Sequence, residues 1–185
     1  FFKQKTAYEI KECDWSSDVC SSDLGASREK SFINFADARS VAIIFDATPD
    51  GNLDIVKRFV LQLKEKKKQV KAIGFFDQKF TPINISYSKA DFDFYNLKEL
   101  NPLFFPSSPY LKTFAEENFD LFIDLNLFNK FPLRTIALSS RAKCKVGIDS
   151  PENREIHDFF ISTSEKENLQ QYILLVEKSM NMINR

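Results

Sequence analysis

The chain has 185 residues, of which 43% are hydrophobic, and its 26 basic side chains balance its 26 acidic ones. A neutral chain carries no electrostatic footprint for nucleic acid or for an anionic membrane surface. No apolar run approaches the roughly 20 residues of a spanning helix, and the length suits one domain with a real core.

Residues 1–24 stand apart. Lys3 to Ile10 and Asp14 to Leu24 read as translations of the two constant parts of a short-read sequencing adapter, with an index-sized gap, Lys11-Glu12-Cys13, between them. A secretory signal is excluded, because Glu9, Glu12, Asp14 and Asp18 interrupt the stretch and it has no apolar centre. The leader is set aside as an artefact with no expected structure. The natural start is expected upstream of Gly25, and residues 25–185 are expected to form one domain. Removing the leader's three lysines and five acids leaves the remainder near +2, with Cys144 as its one cysteine. One cysteine makes neither an internal disulfide nor a thiolate zinc cage, so a cytoplasmic protein is expected.

The remainder opens with a polar lead-in, residues 28–39. Residues 41–45, Val-Ala-Ile-Ile-Phe, predict a strand covered on both faces. Asp46-Ala-Thr48-Pro49-Asp50-Gly51-Asn52 is the turn that follows, with Thr48 or Asn52 as candidate helix cap. Leu53, Val56, Phe59, Val60 and Leu63 recur at helical spacing. Lys64, Lys66, Lys67 and Lys68 crowd the end of that helix, where cations suit its dipole. Residues 70–76 predict a second strand and complete a right-handed βαβ unit. Residues 77–91 show no helical period. Phe92 and Phe94 alternate with acids, which predicts a short strand near the sheet edge. Residues 101–109 contain Pro102, Pro106 and Pro109 and predict a loop.

The second half predicts a helix from 109 to 118, a buried strand at 119–125 and a helix opened by Pro132 and running to 142. A strand follows at 145–148, a turn at Asp149-Ser150-Pro151, a last strand at 157–162 and a closing helix from 169 to 183. Alternating strands and helices predict an α/β three-layer sandwich with a mostly parallel, Rossmann-like sheet. The expected strand order is 3-2-1-4-5, with an added edge strand.

In such sheets ligands bind beyond the carboxyl ends of the strands, where the strand order reverses. That point falls between the first and fourth strands. The candidate ligand-binding residues are therefore Asp46, Thr48, Asp124 and Asn126, with Asp77 and Asp149 ending neighbouring strands. Such acids could hold a hard cation, or they could shape turns and caps. No Gly-x-Gly-x-x-Gly and no Gly-Lys-Ser/Thr loop follows the first strand, so no nucleotide cofactor is expected. The single histidine, His157, excludes a histidine metal cluster and has no Gly-x-Ser-x-Gly elbow beside it. No metal site is expected and the catalytic residues stay unassigned. Cys144, between Lys143 and Lys145, reads as a small buried hydrophobe.

Three stretches carry a resemblance: residues 42–48 with the helix around Ile55-Val-Lys-Arg-Phe-Val60, residues 118–126, and Phe131-Pro-Leu through residues 142–148. They resemble an uncharacterised bacterial family of short stand-alone proteins with a domain of unknown function, which implies no activity and no site residues. Residues 119–148 are also similar to the N-terminal half of heptosyltransferase-type glycosyltransferases, whose sugar-nucleotide donor is held mainly by a C-terminal half for which this chain has no room. The resulting expectation is a non-catalytic domain that binds a partner protein or a small ligand. The alternative is the nucleotide- or sugar-phosphate-binding half of a glycosyltransferase-like enzyme. An exposed apolar patch built from Phe104, Phe105 or Phe128 would mark a partner-binding surface.

Overall fold

The computed structural model describes residues 28–82, 88–105, 107–163 and 168–182. The leader, Pro106 and the predicted helix end at Ile183 lie outside the described residues. In chain order the elements are β1 (Ser40–Asp46), α1 (Asn52–Glu65), β2 (Gln69–Phe76) and β3 (Phe92–Asn96), followed by a 3-10 turn (Leu97–Glu99). Then come α2 (Pro109–Glu116), β4 (Leu121–Leu125), α3 (Phe131–Ser139), β5 (Cys144–Ile148), β6 (Phe159–Ile161) and α4 (Leu169–Met182).

The six strands form one sheet in the order β3-β2-β1-β4-β5-β6, and every neighbouring pair is parallel. The predicted order holds, with β6 as the added edge strand. Alternation along the strands divides the core in two. Val41, Ile43, Phe45, Leu121 and Ile123 pack under α1 and α4, against Val56, Phe59, Leu63, Tyr172 and Val176. Ala42, Ile44, Ile73, Phe75 and Phe122 pack under α2 and α3, against Leu111, Phe114, Leu133 and Ile136. Apolar residues on both faces explain why β1 reads as an unbroken hydrophobic run.

Several local details differ from expectation. Helix α1 begins at Asn52, capped by Gly51 at φ 85° rather than by Thr48 or Asn52. A left-handed cap favours glycine, and it frees Thr48 for another role. The same helix ends in a Schellman turn. Lys67 stands at φ 60°, its amide donates to Lys64 O, and the Lys68 amide donates to Leu63 O. The lysine cluster is used internally. Lys64 pairs with Asp91 at 2.8 Å, Lys66 with Glu177 at 3.4 Å, and the Lys68 ammonium donates to Ala38 O at 2.6 Å. Burial lowers the Lys68 pKa.

The last strand is shorter than predicted. It spans Phe159–Ile161, and His157 sits before it in a buried turn. The ring lies against β5, where a Cβ on Gly147 would stand 2.6 Å from the imidazole. Gly147 therefore makes the floor of the His157 pocket. Cys144 is buried as expected, and burial raises its thiol pKa.

Candidate functional site

The sheet brings the ends of β1 and β4 side by side, with Ile44 opposite Asp124. Asp46 and Asp124 both sit on the face covered by α2 and α3. Each closes its strand with the same device. Asp46 Oδ1 accepts from the Thr48 amide at 2.9 Å, and Asp124 Oδ1 accepts from the Asn126 amide at 2.9 Å. A carboxylate that accepts from the amide two residues on fixes the turn after its strand.

The second oxygen of each acid faces a nitrogen-bearing side chain. Asp46 Oδ2 lies 3.0 Å from Lys130 Nζ, which lies equally close to Asp77 Oδ2. Asp124 Oδ2 lies 3.1 Å from His157 Nε2, which makes no hydrogen bond. The other imidazole nitrogen faces Asn153 O at 3.3 Å. Burial by itself would lower the Lys130 pKa, but the hydrogen bonds and charges of Asp77 and Asp46 outweigh it and raise the value.

The four candidate residues are engaged within the fold. Asp46 is 5% exposed, Asp124 3% and Asn126 3%. Thr48 Oγ1 accepts from the Asp77 amide at 2.8 Å and ties the end of β1 to the end of β2. Asn126 closes the next loop onto Lys130, because its Oδ1 accepts from Lys130 N at 2.9 Å and its Nδ2 donates to Lys130 O at 3.0 Å. The structure thus brings Asp46, Thr48, Asp124 and Asn126 to one edge, where their side chains hydrogen-bond within the turns and between neighbouring strand ends. Among the described residues no group of three or more His, Cys, Asp or Glu side chains could hold a metal ion. The ammonium of Lys130 occupies the space between Asp46 and Asp77.

The two cavities that stand out lie elsewhere. One is a groove of about 160 Å³ between α1 and α4, lined by Arg58, Phe59, Ile173 and Glu177 among others. The other, about 320 Å³, lies at the amino edge beside Lys30, Phe32, Lys143 and Asp158. Neither is bordered by any of the four candidates.

The same carboxyl edge carries a different feature. Leu103 is 71% exposed, Phe104 57% and Phe128 75%, with Phe131 and Phe80 also open to solvent. The loop that presents Leu103 and Phe104 is hydrogen-bonded within itself. Asn101 Oδ1 accepts from the amides of Leu103 (2.9 Å) and Phe105 (3.0 Å), and the Phe104 amide donates to Asn101 O at 2.8 Å. Phe105 and Phe131 meet edge to face at 5.7 Å and join this loop to the start of α3. Phe104 and Asn129 both hold positive φ, 62° and 48°. For a bulky aromatic that conformation is costly and needs a framework that enforces it. Phe104, Phe105 and Phe128 were legible as loop aromatics without a helical or strand partner. Lys130, Leu103, Phe80 and Phe131 were not singled out. For Lys130 the missing signal is spatial, since nothing in its spacing from Asp46 predicts contact.

A family model described as Family of unknown function (DUF6913) matches residues 21–183. The chain belongs to this family. No curated protein and no solved structure matches the chain. Membership fixes no activity. No helix among the described residues is long and apolar enough to cross a membrane.

Proposed function

We propose that this member of the family is a non-catalytic, cytoplasmic binding domain that docks a protein partner on the rim formed by Leu103, Phe104, Phe128 and Phe131. One observation carries the reading: apolar side chains stay in water on and beside loops that are hydrogen-bonded within themselves. Exposed aromatics on a pre-ordered frame lose little conformational freedom on binding and are the residues that dominate interface energies. The engagement of Asp46, Asp124 and Asn126 in turns supports the non-catalytic part, because a reacting carboxylate needs access to its substrate. The test is cross-linking in cells with the intact chain and with Phe104→Asn/Phe128→Ser. Asparagine tolerates the left-handed backbone of residue 104. The expected result is a protein cross-link that the double variant loses. A cross-link pattern unchanged by the double variant would contradict the reading.

A further inference from the structure

We propose that residues 28–34 form a strap that closes over the amino ends of β5 and β6 while Lys145 is uncharged and opens when that side chain takes up a proton. The strap is held at few points. The Arg28 guanidinium, 7% exposed, donates to Ala142 O at 3.0 Å and to Lys143 O at 3.1 Å, and it pairs with Asp158 at 2.7 Å. The Ser31 amide donates to Lys143 O at 3.1 Å. Glu29, Lys30, Ser31 and Phe32 are exposed. Lys30, Ser31 and Phe32 also line the cavity of about 320 Å³, together with Lys143, His157 and Asp158. Opening the strap therefore removes one wall of that cavity.

Lys145 is a buried amine without a counter-ion. Its Nζ donates to Ala137 O and Leu138 O at the end of α3, and among the described residues it makes no ion pair. The acid that acts on it, Asp158, is committed elsewhere. Asp158 Oδ1 holds Arg28 and lies 3.5 Å from Lys30, and Oδ2 accepts from the main-chain amide of Lys145 at 2.9 Å. A buried charge in that setting is costly. Closing the strap brings two more cations to bear. Burial, then Arg28 and Lys30 against the opposing pull of Asp158, push the Lys145 pKa down to about 7. The strap's one acid, Glu29, acts on Lys143 instead. The other charged groups of the surrounding elements have their own partners. Asp120 holds Lys143 at 2.8 Å, Asp124 faces His157 at 3.1 Å, and Arg134 donates to Glu152 O at 2.9 Å. Cys144 lies on the opposite face of β5. A strap that disfavours the charged amine is, by linkage, disfavoured by it. Above about 7 the closed form holds a neutral amine and opening binds a proton, so rising pH favours closure. Below that value both forms are charged and the dependence ends.

Hydrogen exchange of the full chain between about pH 7 and pH 9, corrected for intrinsic rates, tests this at single amides. The Ser31 amide should exchange by an opening less costly than the one that frees Ile43 at the sheet centre. Its protection should rise with pH, by at most about tenfold per pH unit for one proton. Lys145→Met should make the Ser31 protection independent of pH. Arg28→Met should lower it at every pH while Ile43 stays protected, which shows that the variant remains folded. A Ser31 protection that does not change with pH in the wild-type chain overturns the inference. So does a pH dependence that survives Lys145→Met, or a Ser31 amide that exchanges only together with Ile43.

Discussion

The ammonium of Lys130 lies 3.0 Å from Oδ2 of Asp46, a carboxylate otherwise enclosed at the end of β1. With Asp77 at the same distance, the lysine acts as a cation built into the chain. A buried ion pair adds modest net stability, but removing one partner leaves a charge without compensation. Lys130→Met should therefore lower unfolding stability by about 3 kcal/mol, read as a shift in urea midpoint. Lys130→Met/Asp46→Asn should recover a large part of that loss. Equal stability of Lys130→Met and wild type would contradict the role assigned to the pair.

Gly147 and His157 provide a steric test. A methyl group at 147 would enter the imidazole, with the nearest approach at 2.6 Å, and the ring is fully enclosed. Gly147→Ala should cost about 1–3 kcal/mol by overpacking. In a His157→Ala background the same change should cost much less, since the clash is gone. A double-mutant cycle measures this coupling.

Lys145 gives a pH signature. Its ammonium is buried in β5 and donates to Ala137 O at 2.6 Å and Leu138 O at 3.2 Å. Burial, with a smaller contribution from the charge of Arg28, pushes its pKa down to about 7. Between that value and the unfolded lysine value of about 10.4 the unfolded chain binds more protons, so this group makes stability rise with pH. The slope is at most about 1.4 kcal/mol per pH unit. Lys145→Met should flatten the stability profile in that window, measured by denaturant titrations from neutral to alkaline pH.

Asp120 acts on the acid side. Burial favours its neutral form, but the Lys143 ammonium and the amides of Arg39 and Ser40 outweigh that and hold its pKa at about 2. The carboxylate therefore contributes stability above the unfolded value of about 3.9, and the contribution is lost as pH falls toward 2. Partial exposure of the site reduces the effect to roughly 1–2 kcal/mol. Asp120→Asn should be less stable than wild type at neutral pH, and the gap should close in acid.

The fold was largely legible because β1, β2 and β4 are apolar on both faces and α1 and α4 have clear inward stripes. Val41 to Phe45 could be placed at the sheet centre from composition alone. What failed was local and depended on tertiary contact. Thr48 looks like a helix cap, yet its hydroxyl is taken by the Asp77 amide from the neighbouring strand end. His157 resembles the first residue of a strand, yet the bare backbone of Gly147 gives its ring a place to lie. The candidate acids were found by topology, since residues at the ends of β1 and β4 must be neighbours in this strand order. Their turn-shaping role was one of the two readings open in the sequence; the approach of Lys130 and His157 was not legible, because those residues are distant in sequence and meet the acids only in the folded sheet.

The claim that the carboxyl-edge acids serve the fold rather than a ligand has one direct test. A thermal-shift screen of residues 26–185 against nucleotides, nucleotide sugars and sugar phosphates, with and without magnesium, should leave the melting temperature unchanged. A ligand present at about 100 times its dissociation constant would add roughly 2.7 kcal/mol, a rise of several degrees for a domain of this size. A reproducible rise that Asp46→Asn or Asp124→Asn abolishes would contradict the account and restore those carboxylates as a binding site.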